Sequence, residues 1–237
     1  MLILALDTSD ARGSVALAKG EAVLRVTLHD AAEDYSRWLL PAVERTLASA
    51  GARLVDVELF AVSAGPGSFT GLRVGLTSVK AWSEVYGRPV VPVSRLEALA
   101  EQARVGGLYV ASFVDARRDQ VFAGLYRRCR EGVALVGEEA VVTLAGFLDA
   151  VQREAGSEPV GWISLDPELL RREPGWAPRA ARGESVEAAD PSLASTIAQI
   201  AARRARAGQL KDALTLDANY VRRSDAELFL KGTADGR

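Results

Sequence analysis

The sequence predicts an α/β protein of two similar lobes, each built from the element order βββαβα. Short β-prone runs alternate with amphipathic helical stretches along the chain. The order strand, aspartate, arginine-containing turn, strand, turn, strand, helix, strand occurs twice. The length of 237 residues fits two small lobes that bury a sizeable core. The predicted boundaries are 1–104 for the first lobe, 105–210 for the second lobe and 211–237 for a C-terminal tail.

The first half opens with three strands in an antiparallel meander, because short polar breaks containing glycine separate them. Leu39, Val43 and Leu47 then recur at helical spacing, and Gly51 ends the helix that they predict. A buried strand leads through a glycine-rich turn into a second helix. The predicted elements are strands 2–7, 14–18, 22–28, 59–62 and 89–93 and helices 35–50, 70–86 and 94–104.

The second half repeats this order less closely. The predicted elements are strands 108–114, 120–126, 133–136 and 159–163 and helices 143–154 and 191–207. The stretch 166–190 is rich in Pro, Gly, Arg and Glu, so a loop with little order is expected there. In the tail, residues 218–222 are predicted to be extended.

Composition excludes several classes of function. With 49% hydrophobic and 25% charged residues the chain is typical of a globular protein, and its net charge of −2 disfavours a general nucleic-acid binder. The chain has one histidine, His29, and one cysteine, Cys129, which excludes a Cys/His zinc site and an intramolecular disulfide. No apolar run reaches the ~18 residues of a membrane span, so a cytoplasmic protein without metal or membrane is expected.

A glycine-rich segment, Ser63-Ala-Gly-Pro-Gly-Ser-Phe-Thr-Gly-Leu-Arg-Val-Gly75, joins a predicted buried strand to a predicted helix. Amides at a helix start bind phosphate when glycines let it approach. The spacing matches neither the P-loop nor the dinucleotide fingerprint, so the segment is either a structural turn or a phosphate site. Its candidate residues are Gly65, Gly67, Ser68, Thr70 and Gly71, with Ser68 or Thr70 as the helix cap.

Small side chains form a stripe along the second helix. Gly71, Gly75 and Ser78 lie at i, i+4 and i+7, which lets another helix approach closely. An apolar row runs beside the stripe and consists of Leu72, Leu76, Val79 and Tyr86. The surface packs either against the first helix of the same chain or against a partner protein.

An aspartate follows the first strand of each half, at Asp7 and Asp115. Actin-like ATPases and sugar kinases hold nucleotide phosphates through a metal at such positions. Here the turns Asp7-Thr8-Ser9 and Asp115-Ala-Arg117 lack the small residues that phosphates need. The turns are therefore either a degenerate phosphate site or simple aspartate-capped turns. His29 and Cys129 are expected to be structural or exposed.

Four motifs together carry a family resemblance. They are Leu4-Ala-Leu-Asp-Thr-Ser9, Ser36-Arg-Trp-Leu-Leu-Pro41, the glycine-rich segment 65–75 and Asp115-Ala-Arg117. Together they resemble the TsaB (YeaZ) family of bacterial tRNA threonylcarbamoyladenosine biosynthesis proteins, over the first ~125 residues. Tyr35 and Ala218 stand where that family usually has histidine and proline.

The resemblance implies an actin-like (ASKHA, ribonuclease-H-like) fold and a non-catalytic subunit. Such a subunit pairs with the TsaD threonylcarbamoyltransferase, is joined by the TsaE ATPase, contacts tRNA indirectly and self-pairs when alone. The expected interface residues lie on the first two helices: Leu39, Val43, Leu72, Gly75, Leu76 and Val79. No catalytic residue or cofactor is expected, apart from weak nucleotide binding within the complex. The alternative is an actin-like ATPase or kinase that uses Asp7 and Asp115, and the family's homology label also suggests a peptidase, for which one histidine leaves no zinc site.

Overall fold

The computed structural model describes residues 1–29, 33–212 and 216. Within these residues ten strands form two five-stranded sheets, and seven α-helices cover them. The strands are β1 (Leu2–Asp7), β2 (Ser14–Lys19), β3 (Ala22–Leu28), β4 (Leu59–Ser63), β5 (Val90–Val93), β6 (Tyr109–Arg117), β7 (Gln120–Cys129), β8 (Gly132–Val142), β9 (Val160–Ser164) and β10 (Ser185–Ala188). The helices are α1 (Tyr35–Ala48), α2 (Phe69–Tyr86), α3 (Arg95–Gln102), α4 (Leu144–Ala155), α5 (Glu168–Arg171), α6 (Ala177–Ala181) and α7 (Leu193–Arg206).

The two sheets have the same topology. The first has the order β3-β2-β1-β4-β5, and the second has the order β8-β7-β6-β9-β10. In each sheet the first strand pairs antiparallel with the second and parallel with the fourth. The predicted repeat of the βββαβα order is therefore confirmed, and in each half a fifth strand and a further helix follow it.

The sheets and helices stack in layers. The β1 residues Leu4 and Leu6 belong to the core cluster beneath α1 and α2. Ile3 and Ala5, on the opposite face, belong to a cluster that continues through α3 and α7 to the second sheet. Alternation along the strand thus gives the first sheet two buried faces.

Helices α3 and α7 lie between the two sheets, and each packs on the sheet of the other predicted lobe. Helix α3 follows β5 of the first sheet but packs on β6, β7 and β8 of the second sheet. Helix α7 follows β10 of the second sheet but packs on β1 and β2 of the first sheet. The division at residue 104 stays a prediction, and the packing of these helices does not follow their order in the chain.

The stretch 166–190 is ordered, contrary to the prediction of a loop. It contains α5, α6 and β10, together with a 3₁₀ turn at Pro174–Trp176. Leu170, Trp176 and Val186 are buried against the outer face of the second sheet. Arg179, whose side chain is 6% exposed, pairs with Glu184 at 2.9 Å. The apolar anchors are widely spaced, so no helical or strand period marks them in the sequence.

The start of the tail packs on the first lobe. Lys211 pairs antiparallel with Val90 of β5, and Leu216 is 1% exposed within the cluster beneath α1 and α2. The predicted extended segment 218–222 lies outside the described residues. None of the helices in the described part of the chain is long and apolar enough to span a membrane.

Candidate functional site

The turn after β1 is closed by contacts within the chain. Asp7 is fully buried. Its Oδ1 accepts hydrogen bonds from the Ser9 amide at 3.0 Å and from Ser9 Oγ at 2.5 Å. Thr8 Oγ1 donates to the Gly71 carbonyl at 2.8 Å, and the Ser68 amide donates to the Ser9 carbonyl at 2.7 Å. The start of α2 therefore binds this turn directly.

The glycines of the glycine-rich segment explain this close approach. A Cβ on Gly67 would lie 2.1 Å from the Ser9 carbonyl oxygen, and one on Gly71 would lie 2.1 Å from that of Thr8. A Cβ on Gly75 would meet Thr8 Oγ1 at 2.4 Å. Real Cβ atoms do not come so near to other heavy atoms. These contacts favour the structural interpretation of the segment, because its glycines make room for the turn after β1.

Two other residues of the segment have local roles. Ser68 is the cap of α2, since its Oγ accepts a hydrogen bond from the Gly71 amide at 3.3 Å. Thr70 is exposed within the first turn. Gly65 has φ +100°, a left-handed conformation that favours glycine. The sequence left Ser68 and Thr70 as alternatives for the cap, and the structure selects Ser68.

A buried arginine supplies the positive charge next to the aspartates of the site. Arg95, the first residue of α3, has a side chain that is 4% exposed, and its Nη2 lies 2.5 Å from Asp10 Oδ2. The Tyr35 hydroxyl donates to the Asp10 carbonyl. Sequence reasoning missed Arg95. The available signal was its position directly after the buried strand β5, at the same edge of the sheet as Asp7.

Burial and charge move the pKa values in opposite directions. Burial raises the pKa of Asp7 above its ordinary value, although the Arg95 charge and the Ser9 hydrogen bonds lower it. Burial also raises the pKa of Asp10, but Arg95 and neighbouring donors outweigh it, so the net pKa is lowered. The pKa of Tyr35 is raised by burial and by the charges of Asp7 and Asp10.

His29 packs in the neighbouring loop. Its Nδ1 lies 2.7 Å from the Ala11 carbonyl oxygen, and its Nε2 lies 2.7 Å from that of Glu33. The ring stacks on Tyr35 with a centroid separation of 4.1 Å. These contacts give His29 a structural role next to the turn. Cys129 is exposed at the end of β7, as predicted.

The turn after β6 differs from the turn after β1. The Asp115 side chain is 40% exposed, and it pairs with Arg117 at 3.3 Å. The Arg117 amide also donates to Asp115 Oδ1 at 2.7 Å. The structure thus buries Asp7 and exposes Asp115, so the two aspartates that occupy matching sequence positions do not form equivalent sites.

The hairpin between β6 and β7 is strained, and one substitution should relieve it. Arg117, Arg118 and Asp119 have φ values of 63°, 56° and 56°, where side chains are disfavoured. Glycine suits such a turn. We expect Asp119→Gly to raise the stability by about 0.5–1 kcal/mol, or Tm by about 1–4 °C, in thermal unfolding. Asp119→Ala is the control and should lower Tm; a gain in both variants would contradict the strain.

The predicted interface residues lie inside the chain, which corrects their assignment. The five apolar side chains are at most 6% exposed and pack beneath α1 and α2: Leu39, Val43, Leu72, Leu76 and Val79. Gly75 is also buried, against Thr8. The apolar face of an amphipathic helix first covers its own sheet. These residues therefore hold the lobe together and cannot contact a partner directly.

Other residues form the outer surface of the two helices. Leu40 of α1 is 54% exposed, and Val85 and Phe69 of α2 are 74% and 39% exposed. The Arg73 guanidinium lies 3.8 Å from the centroid of the Phe69 ring. We call the exposed side chains of Leu40, Phe69, Arg73 and Val85 the α1–α2 surface. Exposed apolar side chains that lie together mark sites that bind other proteins, whereas single ones are common on protein surfaces.

A cavity of about 570 Å³ lies between the second sheet and helices α3 and α7. Its polar groups already bind one another. Arg204 Nη2 donates to both carboxylate oxygens of Glu97 at 2.7 Å, and the Tyr126 hydroxyl donates to Glu139 at 2.5 Å. Among the residues that the structure describes, no three His, Cys, Asp or Glu side chains are grouped as metal ligands would be.

Comparison with known proteins agrees with the motifs. The sequence profile described as "TsaD: tRNA N6-adenosine threonylcarbamoyltransferase" matches residues 26–160. The chain is 31% identical over 172 residues to the Bacillus subtilis (strain 168) "tRNA threonylcarbamoyladenosine biosynthesis protein TsaB", covering 73% of this chain and 74% of that protein.

Solved structures share the fold. YeaZ from Pseudomonas aeruginosa has a TM-score of 0.73 at 27% identity, over 92% of this chain and 99% of that one. The activator of 2-hydroxyisocaproyl-CoA dehydratase from Clostridium difficile has a TM-score of 0.50 at 12% identity, over 88% of this chain and 97% of that one, and it supports the fold alone. The predicted actin-like fold is confirmed. With the match to the B. subtilis protein, these findings show that the chain belongs to the TsaB/YeaZ family.

Proposed function

We propose that this chain is the non-catalytic subunit of a complex that makes threonylcarbamoyladenosine in tRNA. It pairs with a TsaD-type threonylcarbamoyltransferase, and a TsaE-type ATPase joins the pair in the cytoplasm. Contact with tRNA is made through the complex, because the net charge of −2 gives this chain little attraction for tRNA phosphates. The observation that carries the pairing is the α1–α2 surface, where Leu40 and Val85 are more than half exposed.

The closed turn after β1 supports the non-catalytic role. Asp7 is fully buried, and its Oδ1 binds Ser9. The amide of Ser68, which a phosphate would need, donates to the Ser9 carbonyl at 2.7 Å. Asp115 is paired with Arg117. An actin-like ATPase or kinase needs aspartates that are open to a metal–nucleotide complex, and a zinc peptidase needs more than one histidine or an equivalent ligand set.

The pairing is tested by placing a positive charge on the α1–α2 surface. We expect Leu40→Arg and Val85→Arg to abolish co-purification with the TsaD-type protein from the same cell, because a buried unpaired guanidinium opposes association. Leu135→Arg is the matched control, since Leu135 is 44% exposed on β8 of the second sheet. All three variants should keep the wild-type circular dichroism spectrum and Tm.

Two results would contradict the proposal. Retention of the partner by both Leu40→Arg and Val85→Arg would show that the α1–α2 surface is not the interface. A stable interface buries roughly 1,600 Å² in total, and an unpaired charge buried within it opposes association. Micromolar binding of Mg·ATP to the isolated chain in calorimetry, lost in Asp7→Asn, would favour the nucleotide enzyme. Self-association of the isolated chain should weaken in the same two variants if it uses the same surface.

A further inference from the structure

Three buried polar atoms at one edge of the first sheet have no hydrogen-bond partner among the described residues. They are Asp7 Oδ2, Ser63 Oγ and Arg95 Nε. Their residues are between 0% and 3% exposed. A buried polar group without a partner costs free energy, so native proteins rarely leave three of them together.

The strand register brings these residues to one place. Leu6 of β1 is paired with Val62 of β4, so the next residues, Asp7 and Ser63, end neighbouring parallel strands. Neighbouring strands lie about 4.8 Å apart. Ala5 and Ala61 face the cluster around α3 and α7, and the alternation of side chains turns Asp7 and Ser63 to that same face.

Arg95 reaches this face from the third strand. Ser63 is paired with Val93 of β5, and α3 begins at Arg95, two residues after Val93. The Arg95 amide donates to the Gly65 carbonyl at 2.7 Å, which fixes the first turn of α3 beside the glycine-rich segment. Its Nη2 reaches across the sheet edge to Asp10. The guanidinium therefore lies over the ends of β1 and β4.

The three atoms differ in the hydrogen bonds that they need. Arg95 Nε is a donor only, an ionised Asp7 Oδ2 is an acceptor only, and Ser63 Oγ is both. A metal cation could satisfy the oxygens but not the guanidinium nitrogen, and the positive charge of Arg95 would oppose it. A water molecule accepts one bond and donates two, which matches the set.

We infer that Asp7, Ser63 and Arg95 form a binding site for one buried water molecule. The water accepts from Arg95 Nε and donates to Asp7 Oδ2 and Ser63 Oγ, and it links the ends of β1 and β4 to α3. This sheet edge, where open α/β sheets bind their ligands, is thereby filled by the chain's own guanidinium and a solvent molecule. The site is independent of the proposed pairing, because it lies beneath the turn rather than on the α1–α2 surface.

The test counts long-lived internal waters by magnetic relaxation dispersion of ¹⁷O, together with a crystal structure at a resolution that shows ordered waters. The wild-type protein should show a water within hydrogen-bond distance of all three atoms. Ser63→Ala removes one partner and should lower the count of long-lived waters by one. Ser112→Ala is the matched control, because Ser112 is equally buried but donates directly to the Leu96 carbonyl at 2.8 Å.

Both serine variants are expected to lose a few degrees of Tm, so the water count separates the two roles. An unchanged count in Ser63→Ala, or a dry site in the crystal, would overturn the inference. Binding of Mn²⁺ by the wild-type protein in electron paramagnetic resonance, lost in Asp7→Asn, would also overturn it in favour of a cation site.

Discussion

Gly71→Ala is expected to destabilise the protein by about 3 kcal/mol or more, which corresponds to a loss of roughly 6–12 °C in Tm. The new Cβ would lie 2.1 Å from the Thr8 carbonyl oxygen, a backbone atom that is held within the closed turn. Either α2 or the turn after β1 must move. Intrinsic helix propensity works in the opposite direction, since alanine favours a helix over glycine by up to about 1 kcal/mol. Urea denaturation measures the balance.

Gly146→Ala is the matched control. Gly146 lies in the first turn of α4, where its amide donates to the cap Thr143, as the Gly71 amide donates to the cap Ser68. Its Cβ would meet only Thr143 Oγ1, at 3.2 Å. We expect Gly146→Ala to be neutral or slightly stabilising. A loss of stability in Gly146→Ala equal to that in Gly71→Ala would contradict the close-approach explanation.

Arg95→Met is expected to cost about 3 kcal/mol at neutral pH, because it leaves the carboxylates of Asp7 and Asp10 without their buried cation. This magnitude is the lower end for a buried pair, since the Asp10 side chain is 37% exposed. Methionine keeps most of the volume of the side chain, so packing changes little. Arg53→Met is the control: Arg53 and Asp56 form a pair whose side chains are 81% and 44% exposed, and its loss should cost little.

The cost of Arg95→Met should depend on pH in a defined direction. Asp10 has a lowered pKa in the folded state, so its contribution to stability is present above the ordinary value of 3.8 and is lost as the pH falls through the folded value. Asp7 has a raised pKa, so its ionisation disfavours the folded state as the pH rises. Without Arg95, burial disfavours the ionised form of both carboxyl groups. The difference in unfolding free energy between wild type and variant should therefore shrink below about pH 4. A pH-independent difference would show that the arginine acts through packing alone.

The strands were predictable because short polar breaks separate the β-prone runs that form them. Strands β1 and β3 begin and end at the predicted residues, and a glycine-containing turn follows β1 and precedes β3. Helices α1 and α2 were also predicted closely from their apolar rows. The surface against which those rows pack could not be predicted. A periodic apolar row indicates that one face of a helix is buried, but it does not indicate whether the same chain or a partner buries it. Leu72 and Leu76 therefore looked like an interface but form the core.

The candidate site was predictable only in part. The glycine-rich segment and Asp7 stood out locally, and the structure brings them together through Ser9 and Gly67. Arg95 lies 88 residues after Asp7 in a helix of another layer, so no local pattern links them. The anchors Leu170 and Trp176 were missed for a related reason: each is a single side chain in a polar stretch, and burial of single side chains depends on the tertiary fold.

The crossing of α3 and α7 ties the folding of the first sheet to the end of the second half. Helix α7 covers the face of the first sheet that carries Ile3, Ala5 and Ala16. Until residues 193–206 leave the ribosome, this face lacks that cover. A nascent chain that carries only residues 1–104 thus displays apolar surface that the finished protein buries. The two halves should unfold as one cooperative unit, and a cut between them should yield fragments that need each other to become compact.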